Sequence, residues 1–263
     1  MFRTIEHSDP RFSHEGLRYV TVKTPNLRGR GDITFWSPEW MPDSEPLPLV
    51  ILLHGVYGSH WAWSLKGGAH RTANQLISTG EFTPFRLAMP SDGLWGDGSG
   101  YLPHDGHQFD RWIIDDVPAA CPGAVSSLFL AGLSMGGFGA LRLGATYPDR
   151  FRAVSGLSSI THLDQMAQFV EEPLTAYRQP DPTDESVLAL MLRNRDQLAQ
   201  DSLPRLRFDC GTEDSLLGAN RELHAALTNA NIAHTYEEFA GGHEWPYWEK
   251  HLVDTLRFFS RLV

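Results

Sequence analysis

The sequence predicts an α/β fold: a mostly parallel central sheet with helices on both faces and an antiparallel pair of strands at its N-terminal edge. Three observations predict it. Short runs such as Leu49-Val50-Ile51-Leu52-Leu53 are continuously apolar, the pattern of strands covered on both faces. From Leu49 to the end, such runs alternate with segments of helical length, which implies parallel strands joined by helical crossovers. Before Leu49, Leu17–Thr24 alternates apolar and polar residues, the pattern of a half-exposed strand. A chain of 263 residues is ordinary for a single unit of this class, spanning 1–263, with one insertion.

The elements follow in order. Leu17–Thr24 and Asp32–Ser37 form the expected edge pair, joined by a turn over Pro25–Arg30. A proline-rich loop, Trp40–Pro48, leads to the central strand Leu49–Leu53. His70–Ser78 reads as a helix with Gly80 at its C-cap, and Arg86–Met89 as a buried strand stopped by Pro90. Ser91–His107 holds five glycines and is long for a plain connection, which marks it as a functional loop. Gln108–Ala120 is expected as a helix, Ser127–Leu133 as a strand, Met135–Tyr147 as a helix and Phe151–Gly156 as a strand. The alternation then breaks: residues 158–202, with a helical piece at Ser186–Arg195, read as a cap-like insertion over the strand ends. Strand Arg205–Gly211, helix Leu217–Asn229, strand His234–Phe239 and an amphipathic helix Trp245–Leu262 complete the chain.

Composition narrows the function. An apolar content of 41%, with 24 glycines and 17 prolines, is globular and loop-rich. Lys and Arg number 22 against 32 Asp and Glu, a net charge of −10. That balance argues against nucleic acid, whose binding rests on neutralising phosphates, and against anionic membranes. Two cysteines, Cys121 and Cys210, set no disulfide framework. The first residues show no signal-peptide pattern and no apolar run reaches membrane-spanning length, so a cytoplasmic location is expected.

The chemistry points to Gly132-Leu133-Ser134-Met135-Gly136, a Gly-x-Ser-x-Gly run between a buried strand and a helix. This is the pattern of a nucleophile elbow, in which a sharp turn exposes the serine at the strand tip. A serine hydroxyl needs a base within hydrogen-bond reach, and the base needs an acid to fix its tautomer. The chain order Ser…Asp/Glu…His selects Asp214, after a late strand, and His243, after the last one. Glu213 is the substitute acid, and Asp214 would also serve as a helix N-cap. Asp209 lies inside its strand and His251 inside the last helix. The oxyanion donors are expected to be the N–H groups of Met135 and Val56, with the Tyr57 N–H as alternative to Val56; the His54 ring is expected to hold that loop.

Tyr57, Trp95, Tyr101 and Trp245 fall in the loops at the expected mouth and are candidate substrate-binding residues. Plain packing is the alternative for Trp95, Tyr101 and Trp245, and the favoured reading for Trp63 and Trp112. His104, Asp105 and His107 stand close together but lack further ligands at metal spacing, so no metal is expected, and no cofactor. The expected partner is a small-molecule or saccharide ester; the oligomeric state is open.

With these residues in place, the chain resembles the esterase D-like branch of the α/β-hydrolases. The resemblance is carried by Leu52–Gly58 with Trp63, Ala88-Met89-Pro90, Trp112–Pro118, Gly132–Gly137, Tyr147–Phe151, Cys210–Asp214 and Gly241–Trp245. It implies an α/β-hydrolase fold, a Ser134–Asp214–His243 triad, oxyanion donors at Val56 and Met135, and carboxylesterase activity on short-chain acyl, acetyl or feruloyl esters. The same branch holds S-formylglutathione hydrolases and acyltransferases. In the former a Ser-Gly-Leu-Thr-Cys-type segment stands where this chain has His54-Gly55-Val56-Tyr57-Gly58. A catalytically inactive acyl- or sugar-binding module is the reading from another class.

Overall fold

β4 (Leu47–Leu53) is buried at every residue, because it is covered on both faces. Its side chains divide by the two-residue period of a strand. Leu49, Ile51 and Leu53 enter one core, and Val50 and Leu52 enter the other. The computed structural model describes residues 1–197 and 203–263. The remaining strands are β1 (Thr4–His7), β2 (Leu17–Thr24), β3 (Gly29–Trp36), β5 (Arg86–Pro90), β6 (Pro103–His104), β7 (His107–Gln108), β8 (Val125–Leu133), β9 (Ala153–Leu157), β10 (Arg205–Gly211) and β11 (Thr235–Phe239). Nine of them form one sheet in the order β1-β2-β3-β5-β4-β8-β9-β10-β11, while β6 and β7 form a separate small hairpin. From β5 to β11 the neighbours are parallel; β1, β2 and β3 are antiparallel to their neighbours.

The helices are α1 (Ala69–Ser78), α2 (Phe109–Arg111), α3 (Val117–Ala119), α4 (Met135–Thr146), α5 (Val187–Gln197), α6 (Leu217–Asn229) and α7 (Trp245–Ser260). One core holds Ala73 and Leu76 of α1 with Leu252, Leu256 and Phe259 of α7. The other holds Phe138 and Leu141 of α4, Leu190 of α5, Leu223 of α6, and Trp112 and Ile113. β5 and β8 flank β4 on opposite sides, so the order of the parallel strands reverses there. A crevice opens at such a reversal, outside the carboxyl ends of the strands. The loops after β4 and β8 both open into it.

Four elements depart from expectation. β1 adds an outermost strand whose four residues are all exposed, so it carries no alternation signal. β3 begins at Gly29, inside the expected turn. The expected helix 108–120 is instead α2, a π-helical turn over Trp112–Asp116 and α3. A second π-helical turn, Ala62–Lys66, precedes α1. The insertion consists of 3-10 turns at Leu163–Gln168, Leu174–Ala176 and Pro182–Glu185, then α5; its last expected residues, 198–202, lie outside the described residues.

Candidate active site

Ser134 stands between β8 and α4 with φ 53° and ψ −118°, a backbone conformation that non-glycine residues rarely adopt. It is held there by main chain: its N–H donates to the Leu157 carbonyl at 2.9 Å, and its carbonyl accepts from Phe138 N–H at 3.0 Å. The turn is tight enough that a Cβ on Gly132 would strike the Gly136 carbonyl, and one on Gly136 would lie 2.5 Å from the His54 carbonyl oxygen. Both positions therefore need glycine.

His243 follows β11 and Asp214 follows β10. Since these strands are neighbours in the sheet, their loops meet. Thr212 N–H donates to Phe239 O at 2.8 Å and Glu213 N–H to Gly241 O at 3.0 Å. His243 Nε2 lies 2.9 Å from Ser134 Oγ, and His243 Nδ1 lies 2.9 Å from Asp214 Oδ2. The second carboxylate oxygen, Oδ1, accepts from Leu216 N–H at 2.8 Å. Asp214 is buried, and burial alone would raise its pKa. The bonds from His243 and the Leu216 N–H outweigh that effect and hold the carboxyl below its ordinary range. An ionised Asp214 assigns the Nδ1–H tautomer to His243, leaving Nε2 to accept the serine proton. Glu213, the substitute acid, is exposed. Asp209 is buried inside β10, paired with Arg207 at 2.5 Å and accepting the Tyr247 hydroxyl at 2.8 Å.

Among the described residues, neither Val56 N–H nor Met135 N–H donates to a protein acceptor. Tyr57 N–H, the alternative donor, donates to Asp97 O at 2.8 Å. The loop carrying Val56 is fixed through His54, whose Nδ1–H donates to Gly55 O at 2.6 Å while its Nε2 accepts Asp92 N–H at 3.1 Å.

Of the four expected pocket residues, Tyr57 is 68% exposed, and its hydroxyl donates to Phe169 O at 2.5 Å. Trp95 is half-buried against His104 and Tyr177, and its indole N–H donates to Asp105 at 3.1 Å. Trp245 meets Trp63 and Trp248 edge to face, with Lys66 over its ring. Tyr101 corrects its expectation: it is 0% exposed, beneath the site rather than in its wall, and its hydroxyl donates to His54 O at 3.0 Å. Burial, ahead of the Asp92 charge, pushes its phenol up and keeps it a neutral donor. Trp63 and Trp112 are buried, donating to Leu53 O and Ser91 O. His104 bonds to Ser99 O and packs among aromatic rings, while His107 bonds to Asp105 O. Two residues at the site carried no sequence signal. Phe169 of the insertion stacks on His243, and Trp248 of α7 crosses that ring at 90°.

The family model described as "Putative esterase" matches residues 117–259, from α3 through nearly all of α7. The chain belongs to this esterase family. The esterase is 27% identical over 267 residues to an acetyl esterase of Caldicellulosiruptor saccharolyticus, covering 94% of this chain and 92% of the relative. Its fold matches a ferulic acid esterase with TM-score 0.80 and 22% identity over 100% of both chains. It also matches an S-formylglutathione hydrolase from Agrobacterium tumefaciens with TM-score 0.77 and 19% identity over 99% of both chains. It is thus an α/β-hydrolase-fold enzyme of the ester-hydrolysing class. No helix among the described residues is long and apolar enough to cross a membrane.

Proposed function

We propose that this esterase is a serine carboxylesterase that works through an acyl-enzyme. His243 Nε2 takes the Ser134 proton as Oγ attacks the ester carbonyl. The tetrahedral oxyanion accepts hydrogen bonds from the Val56 and Met135 N–H groups. Asp214 stabilises the imidazolium, which then protonates the leaving alcohol. Water then attacks the acyl carbonyl and gives its proton to His243, which returns it to Ser134 Oγ as the carboxylic acid leaves. The observation that carries this reading is the chain of two 2.9 Å contacts from Ser134 through His243 to Asp214. Small acyl groups such as acetyl, or a feruloyl group, are the proposed substrates, in line with the acetyl esterase and ferulic acid esterase it resembles.

A thioesterase reading is favoured by the likeness to S-formylglutathione hydrolases. It is disfavoured by His54-Gly55-Val56-Tyr57-Gly58 standing at the oxyanion segment. The test is a panel of acetyl, butyryl and feruloyl esters beside matched thioesters, run on the wild type and on Ser134→Ala, with fluorophosphonate labelling in parallel. Wild-type labelling and ester turnover that both vanish in Ser134→Ala are expected. An enzyme that neither labels nor turns over any ester would refute the reading and favour an inactive binding module. A preference for thioesters would replace carboxylesterase by thioesterase. Product formation with an added competing alcohol would reveal acyl transfer.

A further inference from the structure

We propose that Phe169 is a positioning residue for His243 and that, with Tyr57, it forms a strap coupling the base to the oxyanion loop; this rests on the roles given above to Ser134, His243 and Asp214. Phe169 directly follows the 3-10 turn Leu163–Gln168, which its own N–H closes on Met166 O at 2.9 Å. Its ring lies on the imidazole at a centroid distance of 5.4 Å and an interplanar angle of 21°. Trp248 meets the same imidazole at 5.0 Å and 90°. Both ring nitrogens are occupied, by Asp214 and Ser134. The hydrogen bonds fix the imidazole within its plane, while the Phe169 face opposes tilting out of it.

The stacking has a second consequence. When His243 takes the serine proton, its ring becomes a cation under the face of Phe169. An aromatic face is the negative side of the ring quadrupole and attracts a cation within about 6 Å. The neutral ring gains no such attraction, so the contact favours the state in which the oxyanion exists. Only such a differential interaction accelerates chemistry.

The main chain of the same residue reaches the other half of the machinery. Phe169 O accepts the Tyr57 hydroxyl at 2.5 Å. Tyr57 follows the proposed donor Val56, holds a left-handed φ of 58°, and gives its own N–H to Asp97 O. The two ends of the strap are cross-linked again beside this bond: Glu171 N–H donates to Asp97 Oδ2 at 2.7 Å, and Asp97 N–H to Glu172 Oε1 at 3.1 Å. Ser134 beneath is 2% exposed.

The experiment uses the full chain, with Phe169→Leu, Phe169→Trp and Tyr57→Phe beside the wild type and Ser134→Ala. Turnover of a short p-nitrophenyl ester and the rate of fluorophosphonate labelling are measured, with melting curves to check folding. Phe169→Leu keeps an apolar group but removes the quadrupole. It should lower kcat by about 3- to 30-fold with KM within about two-fold. Phe169→Trp should restore kcat to within about three-fold. Tyr57→Phe, exposed and safe for the fold, should lower kcat by roughly 2- to 10-fold, and its effect should shrink in the Phe169→Leu background. Wild-type kcat in Phe169→Leu, equal loss in the Trp and Leu variants, or a rise in KM alone would each overturn the proposal. Absence of Ser134-dependent labelling in the wild type would instead mark failure of the underlying reading.

Discussion

The two sides of the site are held by different kinds of bond. On the acid–base side, after β10 and β11, the loops of neighbouring strands are joined main chain to main chain, through Thr212 to Phe239 and Glu213 to Gly241. On the wall side, the loop 54–58, the glycine-rich loop 91–107 and the insertion are joined largely through side chains: His54 to Asp92, Tyr101 to His54, Tyr57 to Phe169, Asp97 to Glu171 and Glu172. Main-chain bonds survive most substitutions, and side-chain bonds do not. The Ser134–His243–Asp214 geometry thus depends on a few glycines, on those three side chains and on the Phe169 ring that reaches across from the insertion. Away from Phe169 and Tyr57 the walls are free to change, and specificity with them, without moving that geometry.

The largest expected effects strike the acid–base side directly. Ser134→Ala should cost roughly 10⁴-fold or more in kcat while the protein stays folded, read by ester turnover and circular dichroism. Asp214→Asn should cost about 10³- to 10⁴-fold, because the amide stabilises the wrong tautomer of His243. Wild-type turnover in either would end the comparison, since the side held by main chain would then carry no chemistry. Gly136→Ala sharpens it by forcing a Cβ onto the Leu53 and His54 carbonyls. It should lower both melting temperature and turnover, the latter by about 10²-fold, as loss of an oxyanion donor does. Tyr101→Phe removes the buried bond to His54 O beneath the wall and should cost about 1 kcal/mol of stability, read by denaturant unfolding, with only a few-fold loss of kcat.

The depressed Asp214 carboxyl adds a pH signature. Burial opposes the depression, and the bonds from His243 and the Leu216 N–H prevail. A depressed carboxylate contributes stability that is full above its unfolded value of about 4 and is lost as pH falls through its folded value. The stability difference between wild type and Asp214→Asn should therefore hold steady at neutral pH and shrink on acidification below about pH 4. A difference that grows with acid would reverse the assignment.

Much of this was legible beforehand where the signal is local. The apolar runs at Leu49–Leu53 and Arg86–Met89 become β4 and β5, because burial on both faces demands continuous apolarity. β1 was not legible: Thr4-Ile5-Glu6-His7 pairs with β2 through its backbone and buries no side chain. The break at Trp112–Asp116 was hidden as well, since apolar residues with helical spacing suit an α-helix and a π-turn alike. At the site, the glycine pattern marked Ser134, and chain order marked Asp214 and His243. Tyr101 misled because its loop falls at the expected mouth, whereas the loop folds back and buries the ring against Gly139.

By itself the sequence determined the parallel α/β order, the strained serine turn and the loops that hold Asp214 and His243. These depend on apolar period, on glycine at steric pinch points and on the succession of strands, all of which are written along the chain. Only the tertiary structure decided that Phe169 lies on His243, that Tyr57 N–H is taken by Asp97 while Val56 N–H is not, and that Tyr101 supports the site from below. Those contacts join segments remote in sequence through single side chains and single carbonyls. No periodicity encodes such a meeting, because it arises only once the sheet brings its loop ends to one edge.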